Sequence, residues 1–378
     1  VSNLKPENSL ISRTEYYTRL LNGAITGNMF YEVGSGQEQR RDFSFVEVQA
    51  GRGEYTWIDY NNDGVAQLNE FEVAQYQDQA KYIKLYTPTN NYVKANYNTF
   101  NYSVNFMPRI IWNNSTIKWQ QFLTKFSAQS MLQSNVKKIN EGNGLSFNPF
   151  SGNVADTNLI SVINTFSNTI SFNRFSTKWG LDYTQMKNTN KGIMSYGFET
   201  KTVSEHQFKI RKNFGRQYLV DLTQKYGTNK LATPNPLFDN RNYDIKIYSV
   251  EPKITFTYAS KYRSSLGLKY VTKDGESSKE KLSADIYSLQ SESKRNIWQS
   301  AFINAKLSYN QIKYVGERNT SASYVMLDAL QPGKNWLWNL DFTKRLANAI
   351  ELSFQYEGRQ SEGVRTIHVG RASLRAIL

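Results

Sequence analysis

The chain has 378 residues, no cysteine, and 46 Lys and Arg against 32 Asp and Glu, a formal charge of +14. Without thiols there are no disulfides, thiolate metal sites or cysteine nucleophiles, and no apolar run reaches the roughly 18 residues of a membrane helix. Aromatic residues make up 14% and hydrophobic residues only 39%, with a mean hydropathy of −0.60, a thin aliphatic core for a soluble protein of this size. A membrane β-barrel stays open, because its strands offer lipid only alternate residues.

Taken in order, residues Tyr16 to Leu21 and Ala24 to Val33 flank Asn22-Gly23, a dipeptide that supplies the positive φ angles of a tight hairpin. A second pair is expected from Phe43–Val48 and Glu54–Ile58, joined across Gly51 and Gly53. The next stretch carries explicit chemistry. Asp59-Tyr60-Asn61-Asn62-Asp63-Gly64-Val65-Ala66-Gln67-Leu68-Asn69-Glu70 matches the twelve-residue EF-hand loop at its ligand positions, since a hard Ca2+ ion takes six to eight oxygens. The donors would be the side chains of Asp59, Asn61 and Asp63, the Val65 carbonyl, Gln67 directly or through water, and both oxygens of Glu70. Gly64 permits the turn, and a short helix is expected from Phe71 to about Ala80. The segment before the loop reads as strand, so the entering helix is missing and the loop reads as a local staple, not a sensor.

From about Asn98 the chain becomes a series of segments with a period of two, the signature of strands with one apolar and one polar face. Phe100, Tyr102, Val104 and Phe106 share a face, as do Trp179, Leu181 and Tyr183; Tyr218, Val220 and Leu222; Ile254, Phe256 and Tyr258; and Leu266, Leu268 and Tyr270. The series continues with Leu282, Ala284 and Ile286, then Ile303 to Tyr309, Trp336 to Phe342 and Ile350 to Tyr356. Less regular segments lie near Trp119, Ile170 and Phe208 and at the C-terminus. The sum is an all-β protein, a transmembrane antiparallel β-barrel of about 14 strands, with residues 1–95 as a strand-rich region holding the loop and 96–378 as the barrel.

Short links near Arg174–Ser176, Asn213–Arg216, Ala259–Lys261 and Arg345–Ala347 alternate with longer ones near Lys137–Thr157, Lys187–Gly192, Gly227–Asn242, Lys273–Ser278, Gly316–Lys334 and Gly358–Gly363. That is the asymmetry of tight periplasmic turns and long external loops, and it puts the calcium loop outside.

The segment Phe30-Tyr31-Glu32-Val33-Gly34-Ser35-Gly36, the loop Asp59–Glu70, the stretch Asp78–Lys84 and Leu330-Gln331-Pro332-Gly333-Lys334-Asn335 resemble the C-terminal part of large, poorly characterised outer-membrane proteins of the Bacteroidota. The resemblance implies an outer-membrane barrel and further protein ahead of Val1, and it brings no known activity. The chain departs from outer-membrane barrels in ending on Leu378 instead of an aromatic residue.

Catalysis has little support, and no enzyme is expected. The two histidines, His206 and His368, sit in separate strands with no spacing for zinc or for a nucleophile and base. The dispersed basic charge, without a polybasic run, suits head-group contact and an interior surface better than nucleic acid. The expected setting is the outer membrane of a Gram-negative bacterium, in contact with membrane lipid and lipopolysaccharide and with protein partners in an outer-membrane complex. Three roles follow: a channel or translocation component with Lys269, Lys306, Asn339, Asp341, Glu351 and Gln355 lining a polar path; a surface binding or scaffold protein; and, last, an outer-membrane hydrolase.

Overall fold

The computed structural model describes residues 9–140, 148, 159–194, 197–277, 280–297, 300–347 and 350–376. Alternating apolar and polar residues fix extended backbone throughout, and the described strands join one antiparallel sheet in chain order. The long strands are β1 (Leu10–Leu20), β2 (Ile25–Glu47), β5 (Tyr82–Phe106), β6 (Phe126–Ile139), β7 (Leu159–Phe172), β8 (Trp179–Met194), β9 (Gly197–Phe214) and β10 (Tyr218–Ala232). They continue as β11 (Tyr243–Tyr258), β12 (Tyr262–Ser277), β13 (Lys281–Ile297), β14 (Ala301–Val315), β15 (Gly333–Ala347), β16 (Ile350–Ser361) and β17 (Ile367–Ala376). That makes 15 long strands against the expected count of about 14. Two three-residue strands, β3 (Tyr55–Trp57) and β4 (Phe71–Val73), pair with each other and hang on β5 through Tyr55 and Tyr82.

The connections sort by end. Links such as 173–178, 215–217 and 259–261 lie at one end, together with a longer one that holds the short helices α1 (Arg109–Trp112) and α2 (Lys118–Leu123). At the other end lie 48–81, 233–242, 316–332 and 362–366, so the loop 59–70 is on the long-loop end. Two expected loops are strand instead. Lys187–Gly192 pairs with Ser204–Glu199 of β9, and Lys273 stands opposite Ala284 of β13, because polar residues keep the ladder wherever a neighbour offers partners. Of the expected loop 137–157, residues 141–147 and 149–157 lie outside the described residues. The segment near Trp119 is α2, whose rings pack locally (Trp112–Trp119, 5.4 Å).

The register gives the sheet a consistent pair of faces. Toward the short-link end one face carries Phe126 beside Phe172 and Tyr218 beside Phe256, with ring centroids 4.8 and 5.1 Å apart. Toward the middle it carries Tyr270 beside Tyr287 and Tyr309 beside Trp336, at 5.0 and 4.7 Å. Between these belts stand Leu222, Ile254, Leu266, Leu268, Leu289 and Leu307, all solvent-exposed. The opposite face carries Lys269, Lys306, Asn339, Asp341, Glu351 and Gln355 together, as the alternation required.

At the long-loop end the polarity of the faces inverts. Leu231, Tyr243, Ile245, Leu282 and Ala284 lie on the same face as Lys269 and Lys306 and are buried against Ala322 and Met326 of α3 (Ser321–Met326). Val271, Ile286 and Ile312 continue this core against Leu327 and Leu330. Leu282, Ala284 and Ile286 share a face, as the period of two indicated, and it is the inner one. On β13 the apolar phase slips by one residue at Ile286-Tyr287, and Tyr287 and Leu289 take up the outer face.

The segment between β2 and β5 forms a cap over the inner face. Phe43–Glu47 is the end of β2, paired with Tyr86–Tyr82 of β5, and does not form the expected hairpin with Glu54–Ile58. Aromatic packing explains the rearrangement. Phe45 stacks on Phe71 at 4.0 Å and meets Tyr55 at 5.0 Å, which folds the β3–β4 hairpin back over the strand. Gly53 makes the close approach feasible, since a Cβ there would stand 2.5 Å from the Tyr82 nitrogen. The expected helix after the loop is absent: a single 3-10 turn, Leu68–Glu70, leads straight into β4, because Phe71 is claimed by the aromatic cluster.

Candidate functional site: the loop 59–70 and its cap

The loop 59–70 sits between two antiparallel strands, β3 and β4. Its winding is set by side-chain oxygens that hold backbone amides. Asp59 Oδ1 accepts from the Asp63 nitrogen (3.2 Å) and Oδ2 from the Gly64 nitrogen (2.9 Å), while Asp63 Oδ1 accepts from the Val65 nitrogen (2.7 Å). Gly64 has φ +74 and Asn62 φ 58, the left-handed conformations that close the turn.

Asn61 Nδ2 and Gln67 Nε2 both donate to Asp63 Oδ2, at 2.8 and 2.7 Å, so these three side chains converge on one point. Turning over the two amides would present oxygens in place of nitrogens, and the resulting oxygen-only donor set is that of a hard cation. Val65 lies exposed at the exit of the turn. Glu70 is set apart from the others, only 1% exposed, accepting from the Trp57 indole nitrogen (2.9 Å) and the Tyr60 and Gln67 amides (3.3 and 3.2 Å). Among the described residues, no three acidic or histidine side chains gather into a ready metal cluster. The residues thus fit Ca2+ by donor chemistry and loop winding, with Glu70 held by protein donors.

Sequence reasoning missed the residues that fasten the cap. Glu72 Oε1 accepts from Tyr60 OH (3.0 Å), Ser321 Oγ (2.6 Å) and Arg241 Nη1 (3.2 Å). Arg241, 5% exposed, also donates to Glu199 of β9 (3.0 Å) and to the Asn69 carbonyl. Tyr324 of α3 donates to the Val73 carbonyl (3.0 Å) and accepts from the Gln75 nitrogen (3.2 Å). Burial pushes the Tyr324 phenol up to about 12, and it raises Tyr60 and Tyr76 as well.

On the other flank Arg359 of β16 donates to Asp78 (2.6 Å) and lies 4.4 Å from the Tyr76 ring centre, while Arg371 of β17 donates to Gln77 (3.0 Å) and the Gly51 carbonyl (3.3 Å). No local motif announces such partners, which come together only through sheet register. Because one cap reaches β9, β16 and β17 from its origin between β2 and β5, the sheet curls around it.

Beneath the cap lies a cavity of about 450 Å³ lined by Tyr76 and Asp78 and by inward residues of β11 to β17, including Lys253, Glu292, Lys306, Asn339 and Glu357. Charge is balanced within it. Glu292 stands 3.2 Å from Lys294 and 4.0 Å from Lys306, and Asn304 and Asn339 both donate to Asp341.

No family profile and no curated protein matches the sequence. Among solved structures, the chain is similar to Pseudomonas aeruginosa FpvA in its iron complex with a heterologous pyoverdine, at 8% identity and a TM-score of 0.35, over 97% of this chain and 63% of that one. The chain thus spans less than two thirds of that structure's length, and at this score the fold rests on its own strand pairing.

The histidines lie on the outer face, each with a tyrosine. His206 Nδ1 is 2.8 Å from Tyr183 OH and His368 Nδ1 is 2.8 Å from Tyr356 OH. Both pairs are stacked and belong to the aromatic surface.

Proposed function

We propose that this chain is an outer-membrane β-barrel protein acting as a channel or as a component of a transport or secretion complex, with a calcium-stabilised cap outside. The observation that carries the reading is the exposed apolar band between two aromatic belts. Tyr218 and Tyr226 on β10 stand at the two belts, eight residues apart, which is about 26 Å along a strand at roughly 3.3 Å per residue. Counted inclusively that is nine residues, the length of a tilted membrane-spanning strand, and the flanking aromatics suit the girdles of an outer-membrane barrel. A continuous belt of exposed Leu, Ile, Phe, Tyr and Trp has no stable place in water.

Lipid and lipopolysaccharide cover the band in this reading, and the charged inner face forms the path. The inverted polarity beyond the belts gives the projecting half of the sheet a water-facing exterior and a core filled by α3 and the residues after it, with Tyr76 of the cap packed against them. The cap is fastened across the inner face at the long-loop end by Arg359, Arg371 and Tyr324, an arrangement that supports a gated conduit. Asp59, Asn61, Asp63, Val65, Gln67 and Glu70 hold Ca2+ in the proposal, bracing the hairpin that carries Glu72 and Asp78. Extraction from outer membranes followed by planar-bilayer recording is the test: inserted protein is expected to conduct once the cap is released. Recovery in the soluble fraction would end the membrane reading, and insertion without conductance in any state would leave the anchored surface-binding role.

A further inference from the structure

Six charged side chains line the cavity beneath the cap, and four of them are already engaged with other charges. Asp78 holds Arg359 at 2.6 Å, and Glu292 stands between Lys294 and Lys306 at 3.2 and 4.0 Å. Lys253 and Glu357 remain. Both are half-buried, and neither side chain makes a hydrogen bond or an ion pair among the described residues. The groups around them are engaged elsewhere. Asp221, opposite Lys253 on β10, is turned to Lys209 at 3.9 Å. Of the arginines that face Glu357, Arg359 is held by Asp78 and Arg371 by Gln77 and the Gly51 carbonyl.

Sheet register keeps the two apart, Lys253 on β11 and Glu357 on β16. Five inter-strand steps of about 4.8 Å put roughly 24 Å between them along the sheet, an upper bound on the straight path across its curl. The wall between them has two characters. Gln290, Ser308 and Asn339 offer amide and hydroxyl groups, while Tyr76, Leu337 and Val369 offer apolar surface. Gly267, paired with Lys253, leaves the Lys253 end open: a Cβ there would meet nothing nearer than the Pro252 oxygen at 3.7 Å.

We infer that this cavity is a binding site for short peptides with free ends, in which Glu357 takes the α-ammonium and Lys253 the α-carboxylate. The inference rests on the conduit reading above and names what such a conduit would hold. A partly buried charge without a partner is costly, and two of opposite sign facing one cavity are both satisfied by a ligand that is positive at one end and negative at the other. A neutral oligosaccharide leaves both unpaired. The peptide backbone adds N–H and C=O groups for Gln290, Ser308 and Asn339, and its side chains rest on the apolar wall. At about 3.3 Å per extended residue the span admits at most about seven residues. Because Tyr76 and Asp78 belong to the cap, entry requires the cap to lift, and a bound peptide holds it down.

Titration calorimetry on the full chain, purified in detergent from outer membranes, tests this with the peptide Ala-Leu-Ala-Leu as probe. The free peptide is expected to bind, and acetylating its amine or amidating its carboxylate should each weaken binding about tenfold or more, the worth of one hydrogen bond to a charged group. Glu357→Gln should bind the free peptide more weakly and no longer distinguish it from the acetylated form. Lys253→Met should do the same for the amidated form, a pairing of variant with blocked end that general loss of structure does not produce. Gly267→Phe, which fills the cavity from a position with room for a Cβ, should remove binding while residues 48–81 keep the parent's resistance to proteolysis. No binding of the free peptide, equal affinity for free and doubly blocked peptides, or preference for maltotetraose would overturn the inference. Recovery of the parent protein in the soluble fraction would instead overturn the membrane reading, so the two failures are separable.

Discussion

Asp63 and Glu70 belong to one loop and do different work. Asp63 is exposed and receives two side-chain amides, whereas Glu70 is buried under Trp57 with three protein donors. Asp63→Ala is therefore expected to abolish calcium binding at the loop in titration calorimetry while lowering calcium-free stability only slightly, because the three hydrogen bonds it loses are solvent-exposed. The parent should bind with a Kd on the order of 10⁻⁴–10⁻³ M, the range of extracellular single modules. Asp59→Ala with Glu70→Ala should lose the calcium heat too, and should destabilise the cap without calcium by about 1–3 kcal/mol, because buried donors are left unpaired. Equal calcium stoichiometry in the double variant and the parent would refute the site. Arg241→Met tests the fastening: it leaves Glu72 and Glu199 without their shared cation, and breaking a buried pair costs about 3–5 kcal/mol. Limited proteolysis should then cut within 48–81 under conditions where the parent resists. The winding of the loop was legible because the side chains that set it are contiguous in sequence. Arg241, 171 residues beyond Glu70, was not, since nothing local marks a side chain whose partners arrive through strand register.

Each long strand is read differently along its length. Ile303, Ala305, Leu307 and Tyr309 face outward on β14, then Ile312 and Tyr314 face inward against the α3 region. The period of two announced the strands and most of their outer faces, as Phe100–Phe106, Trp179–Tyr183 and Trp336–Phe342 bear out. It could not say which face meets which medium: Leu282, Ala284 and Ile286 do share a face, and that face is the inner one. The signal that corrects this is the phase slip: two adjacent apolar residues, Ile286-Tyr287, where outside and inside exchange roles. The expected helix after Glu70 failed for a related reason. Helical expectation came from the loop motif alone, while the aromatic partners of Phe71 lie on β2 and β5. The two faces predict opposite responses. Leu266→Arg, in the middle of the apolar band, should cost about 2–4 kcal/mol of insertion stability, the penalty for a cation at the membrane midplane, and should lower the amount of protein recovered in membranes. Lys306→Glu, on the next strand but one and facing inward, should insert normally and shift the ion selectivity of any conductance toward cations.

For the molecule as a whole, the cap ties together strands far apart in sequence, and its attachment should respond to alkaline pH through its phenols. Tyr324 bridges α3 to the cap by donating to the Val73 carbonyl, and burial raises it from 10.0 to about 12. A phenol whose folded pKa lies above its unfolded value contributes stability that is fully present below the unfolded pKa and is lost as pH rises through the folded one. The window is therefore between pH 10 and about 12. Tyr60 and Tyr76, raised in the same interface, act in the same direction. The cap should undock in this window before the strand ladders separate, because the sheet is held by backbone pairing that does not titrate. Circular dichroism should show strand content persisting while proteolysis at 48–81 accelerates and, in a bilayer, conductance rises. Tyr324→Phe, which keeps the packing and removes both the proton and the hydrogen bond, should loosen the cap at neutral pH and flatten the alkaline response. If the strand signal and the cap are instead lost together at one pH in both proteins, the cap and the sheet form a single cooperative unit and cannot act as gate and frame.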